Sequence, residues 1–195
     1  MTSLPKEMLL RAADLARRNL SDARYGHTLR VAECAEHLAR LHGVDGKRAR
    51  LAALIHDAAR ELPKDEYLEL AREWDIPTEE PERENPKLLH GAVAAEMARR
   101  ELGVTDRDVL KAVREHTVGA AEMTGLSLVL FLADKIESAR DYPSVERIRA
   151  LSGENLRGAV AETLRRSITY NEELGKPTHP ESRAALRWLE ERQGR

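Results

Sequence analysis

Apolar residues recur at three- and four-residue spacing along almost all of this 195-residue chain, and no hairpin dipeptide lies between alternating runs. Stripes with that period are buried by packing helix on helix, so the expected fold class is all-α, with about nine or ten helices. The first spans about Lys6 to Arg18. The second starts at Ser21 as its cap and ends at Gly43, with Val31, Cys34, Ala35, Leu38 and Leu41 facing inward. A third covers Gly46 to Ala58, and a short fourth follows Pro63. The stretch from Ile76 to Pro86, with three prolines and four acidic residues, reads as an exposed loop.

A fifth helix begins near Lys87 and stops before Gly103. Thr105 and Asp108 form a capping-box-like start to a sixth, which ends near His116. The apolar run from Leu126 to Ala133 is the seventh. Two more start near Ser144 and Glu154, separated by Ser152-Gly153, and Pro180 can open the last. With no repeat, low-complexity tract or obvious linker, residues 1–195 read as a single domain, its helices from about 144 packing on or extending the rest.

Composition excludes several classes. At 42% hydrophobic and 34% charged the chain is not a disordered one. Its net charge of −2 gives no basic footprint for nucleic acid or an anionic membrane. The run from Leu126 is too short to span a bilayer, and no leader is visible, so the expected localisation is cytoplasmic, with no membrane partner. The single cysteine, Cys34, excludes an internal disulfide, suits a reducing compartment and reads as a small buried hydrophobe.

The residues that promise chemistry are polar ones where the pattern asks for apolar ones. Leu51 to Ile55 runs straight into His56-Asp57, and the run from Leu126 ends at Asp134. A carboxylate at the edge of a core is costly unless a cation or several hydrogen bonds compensate it, and a divalent metal accounts for both. His27 shares the inward face of its helix with Val31 and Leu38, while His90 opens one helix and His116 closes another. A lone histidine on an apolar face is more often a hydrogen-bonded core residue; four of them with two such carboxylates make a cluster. Imidazoles and carboxylates without thiolate suit iron, manganese, zinc or nickel. Six ligands exceed the need of one catalytic ion with an open position. Two ions are therefore expected, with Asp57 giving one oxygen to each and a bridging hydroxide available for in-line attack on phosphorus.

The order His27, His56-Asp57, Asp134 resembles the H…HD…D signature of HD-superfamily phosphohydrolases, and His90 and His116 look like the added ligands of its dinuclear members. The segments Arg24-Tyr25-Gly26-His27, Ala53-Leu54-Ile55-His56-Asp57-Ala58-Ala59-Arg60-Glu61, Leu88-Leu89-His90-Gly91, His116-Thr117-Val118-Gly119 and Ala133-Asp134-Lys135-Ile136 resemble the YqeK-type bacterial symmetrical bis(5′-nucleosyl)-tetraphosphatases. Arg140-Asp141-Tyr142-Pro143 and His179-Pro180 fall where that family has similar segments, so the resemblance runs from about Tyr25 to Arg187. It implies an HD-type helical bundle. It also implies His27, His56, Asp57, His90, His116 and Asp134 as metal ligands, iron as the favoured metal, and cleavage of diadenosine tetraphosphate to two ADP. Arg60 stands where the family commonly has lysine; it keeps the charge but cannot exchange a proton, so a phosphate-holding role suits it better.

Asp57 and Arg60 are thus the expected catalytic residues. Arg60, Thr117, Arg140, Tyr142 and His179 are the candidates for substrate contact, Tyr142 by stacking on a nucleobase. His37 and His42 read as solvated, and Trp74 and Trp188 as packing residues. A nucleotidase or (p)ppGpp-type pyrophosphohydrolase is the alternative activity, a non-catalytic nucleotide-binding protein a more distant one, and a homodimer stays open.

Overall fold

The chain adopts an all-helical bundle in a computed structural model that describes residues 6–191, with eleven α-helices and no strand among them. They are α1 (Lys6–Asn19), α2 (Asp22–Leu41), α3 (Gly46–Ile55), α4 (Glu66–Glu73), α5 (Glu80–Glu84), α6 (His90–Met97), α7 (Arg107–Glu115), α8 (Gly125–Ile136), α9 (Val145–Glu154), α10 (Leu156–Glu173) and α11 (Pro180–Glu191). The helix beyond the expected count is α5, inside the stretch read as a loop. Pro81 sits in its first turn, where a missing N–H costs nothing, and the Glu82 carboxylate accepts from the Glu79 N–H at 3.0 Å.

Helix α8 is the axis of the bundle. Leu126 to Ala133 are all buried, so the helix is apolar all round and has neighbours on every side: α2, α3, α7 and α10. Helices α2 and α3 form an antiparallel pair, α1 lies on α3, and α6 packs on α7. Helix α9 packs on α8 and α2, α10 on α8, and α11 on α10. No helix is long and apolar enough to cross a membrane among the described residues.

Several boundaries differ from expectation, each for a local reason. Helix α3 ends at Ile55 rather than Ala58. The chain then tightens into i→i+3 turns, with Ala58 N–H donating to Ile55 and Arg60 N–H to Asp57. The expected helix from Lys87 is three pieces: a 3₁₀ turn (Pro86–Leu89), α6, and a π-helical segment (Ala98–Leu102) that stops at Gly103, φ 73°. Asp106, not Thr105, caps α7, its carboxylate accepting from the N–H groups of Asp108 and Val109. Helix α9 runs through Ser152-Gly153, and the break falls at Asn155, whose side chain caps α10.

On α2 the inward face is His27, Thr28, Val31, Ala32, Ala35, Leu38 and Ala39, whereas Leu41 is 52% exposed on the last turn. Cys34 lies half-buried at the rim of that face, its thiol pushed up to about 11 by burial. His42 is not solvated as expected; its Nε2 lies 2.7 Å from the carbonyl of Ser152. Trp74 and Trp188 both pack against the core.

A buried histidine and aspartate cluster as candidate active site

Five separate elements deliver the cluster. His27 comes from the inner face of α2, His56 and Asp57 from the tightened turn after α3, and Asp134 from the last turn of α8. His90 and His116 arrive together because α6 and α7 approach closely. A Cβ added at Gly91 would lie 2.7 Å from the Val113 carbonyl and 3.1 Å from the His116 ring, so only glycine permits that approach. All six side chains are buried.

Asp57 stands at the centre and divides the imidazoles into two pairs. Its Oδ2 faces His56 Nε2 at 3.5 Å and His27 Nε2 at 3.9 Å, while Oδ1 faces His90 Nε2 at 3.3 Å and His116 Nε2 at 3.7 Å. Asp134 Oδ1 joins the first pair, 3.0 Å from His27 Nε2. Two groups result, His27–His56–Asp57 and Asp57–His90–His116, each with its ligating atoms within 4.8 Å of one another.

The protonation pattern favours a cation. Every one of the four rings has Nδ1 against an oxygen acceptor: His27 on Glu137 (3.1 Å), His56 on Ala53 (2.6 Å), His90 on Lys87 (2.7 Å) and His116 on Val113 (2.7 Å). Nδ1–H donation there turns each Nε2 into the cluster. His27 and His56 have no hydrogen bond at Nε2, and the Nε2 atoms of His90 and His116 face each other at 3.0 Å. Burial lowers the pKa of His56 to about 4 and also lowers those of His90 and His116, which keeps the rings neutral. Burial works against Asp57 and Asp134, yet both carboxyls lie well below the usual range, that of Asp134 first through the adjacent Lys135 ammonium. Inward-facing imidazoles around two anionic carboxylates make a donor set that fits divalent metal ions.

A pocket of about 240 Å³ opens over this cluster, lined by Asp57, His90, His116 and Asp134 and by Arg24, Arg60, Thr117, Lys135 and Arg140. Arg140 spans Asp134, donating to its carboxylate and to its carbonyl, both at 2.8 Å. Thr117 Oγ1 is 3.3 Å from His90 Nε2. Arg60 lies 3.3 Å from His90 Nδ1, but that nitrogen is committed to the Lys87 carbonyl, so the guanidinium is free to turn to a ligand in the pocket. The other two residues expected to touch substrate lie outside this pocket. Tyr142 lines a cavity that shares Lys135 and Arg140 with it, and His179 a cleft that shares Thr117. His179 is also engaged locally, with Nε2 3.0 Å from Glu82 and Nδ1 accepting from the Glu181 N–H.

Three contributors escaped the sequence reading. Arg24 donates to Asp57 Oδ2 at 3.2 Å, and Lys135 to Asp134 Oδ2 at 2.7 Å. Glu137, fully enclosed, binds His27 Nδ1, the Arg30 guanidinium at 2.7 Å and the Ala139 N–H at 2.7 Å. The available signal was that Arg24 and Lys135 stand inside the motif segments, while Glu137 lies one helical turn beyond Ala133 on the same chain stretch.

The profile of the HD domain family matches residues 24–139. A symmetrical bis(5′-nucleosyl)-tetraphosphatase of Halalkalibacterium halodurans is 37% identical over 92% of this chain and 95% of its own length. The protein of the same description from Bacillus subtilis is 34% identical over 89% of this chain and 92% of its own. Among solved structures, an HD superfamily hydrolase from Clostridium acetobutylicum, described as involved in NAD metabolism, superposes with a TM-score of 0.90 at 30% identity. That match covers 93% of this chain and 96% of the other.

Proposed function

This chain belongs to the HD domain family, alongside symmetrical bis(5′-nucleosyl)-tetraphosphatases that match it over nearly their whole length, and on that premise we propose that it hydrolyses diadenosine tetraphosphate and related dinucleotides to nucleoside diphosphates. The observation that carries the reading is Asp57, with one oxygen turned to each histidine pair beneath a pocket rimmed by four cations. Two divalent ions would be held by His27, His56, Asp57 and Asp134 on one side and by Asp57, His90 and His116 on the other, with iron the favoured metal. Such ions supply Lewis-acid charge and make water a nucleophile at neutral pH.

The chain's own residues do the rest. Arg24, Arg60, Lys135 and Arg140 present guanidinium and ammonium donors to the central phosphates, whose oxygens carry the charge that must be neutralised for water to approach. Arg60 binds phosphate and moves no proton. Thr117 can donate its hydroxyl to a phosphate oxygen. In the reaction, water oxygen joins one of the two central phosphorus atoms and the bond from that atom to the central bridging oxygen breaks. The bridging oxygen leaves with the other nucleoside diphosphate, and the two protons of the water are released as both products become trianions. The single cysteine and the absence of a basic footprint suit work in a reducing cytoplasm on a small nucleotide.

The test is product analysis. Diadenosine tetraphosphate cleaved in ¹⁸O-water should give ADP as the sole nucleotide product, with one heavy oxygen on half of the ADP molecules. AMP and ATP in equal amounts would sink the symmetrical reading, and turnover of mononucleotides alone would favour a nucleotidase.

A further inference from the structure

The pocket over the cluster borders two further compartments of unlike chemistry. On one side it shares Lys135 and Arg140 with a cavity of about 470 Å³ that also holds Tyr142, Arg166 and Tyr170. On the other it shares Thr117 with a cleft of about 820 Å³ that includes Asn85, Asn171, Thr178 and His179. Helix α10 is the partition. Arg166 and Tyr170, four residues apart, face the first compartment; Asn171 faces the second, and Ser167 borders both.

The first compartment is an aromatic and cationic one, with no carboxylate among its lining residues. Tyr170 is 60% exposed, while Arg166 lies over the Tyr142 ring, 5.9 Å from its centre, and the Tyr142 hydroxyl is buried. A flat heteroaromatic base finds there the exposed Tyr170 ring face and a guanidinium plane. The cleft across α10 offers amides and hydroxyls instead, with Glu80 and Glu84 among its lining residues and its one imidazole held by Glu82. Resting on the dinucleoside tetraphosphatase reading, we propose that the two nucleoside halves of the substrate occupy these two compartments unequally. The purine stacks in the Tyr142–Arg166–Tyr170 compartment, with Tyr170 as its platform, and the other half lies in the Asn85–Asn171 cleft. An unsymmetrical dinucleotide is therefore bound in one preferred orientation, and water attacks the same one of its two central phosphorus atoms in most turnovers.

Oxygen labelling reads that orientation directly, because only the attacked phosphorus keeps the solvent oxygen. Adenosine-tetraphospho-uridine is cleaved in ¹⁸O-water and the label in ADP and UDP is measured by mass spectrometry. The expected ratio between the two departs from unity by about fivefold or more, the lower end of what one stacking contact confers. Tyr170→Ala, at an exposed position that leaves the core intact, should bring the ratio toward unity while the products remain ADP and UDP. Equal label in the wild-type products would overturn the inference and leave the symmetrical activity standing. A skewed ratio unmoved by Tyr170→Ala would overturn the assignment to this compartment. Mononucleotide-plus-triphosphate products would overturn the activity and this inference together.

Discussion

Asp57 is where geometry and charge converge, since each of its oxygens serves a different histidine pair. Asp57→Asn keeps the shape and removes the charge. It should lower metal content to less than one ion per chain and activity by more than about 100-fold, because both groups lose their shared anion. Metal analysis of the purified variant checks this, and full occupancy would refute the shared role. Glu137 acts one bond further out, through His27 Nδ1. Glu137→Gln should weaken metal binding by about 10- to 100-fold, read by competition with a chelator, while leaving the fold intact. Arg60→Lys should retain substantial activity and Arg60→Ala lose far more; equal losses would mean that the planar fork of donors matters more than the charge.

At the scale of elements, the junction of α6 and its π-helical continuation is tied by Glu96, which is buried and accepts from Arg99 and Arg100. Hydrogen bonding from Arg99, reinforced by Arg100, lowers the Glu96 pKa to about 2 although burial opposes the shift. A carboxyl depressed in the folded state adds stability above its ordinary value of 4.5 and loses that contribution as pH falls from there toward 2. Glu96→Gln should therefore cost about 1–3 kcal/mol at neutral pH and show a flatter loss of stability between pH 4.5 and 2, measured by denaturant melts across that range. Helix identity was legible from periodicity in most of the chain, and α5 and the ends of α3 and α9 were not. Periodicity averages over several turns, whereas a cap such as Asn155 or a proline tolerated in a first turn is decided by one or two hydrogen bonds.

For the whole molecule, metal and fold should be linked. The six candidate ligands come from five points of the bundle, so ions held only by the folded chain would stabilise all of it. Removing them with a chelator should lower the melting temperature by roughly 10 °C, given about 4 kcal/mol of linked stability and 2–4 °C per kcal/mol for a chain of this size. Calorimetry before and after metal return checks the change and its reversal. The sequence by itself determined the helical class and singled out His27, His56, Asp57, His90, His116 and Asp134, because a polar residue interrupting an apolar stripe is a local signal. It could not supply the pairing of Glu137 with His27 across 110 residues, the division of the imidazoles by Asp57, or the two compartments separated by α10. Those depend on which helices meet and at what distance. A periodic pattern shows which face of a helix is buried and carries no information about the partner that buries it.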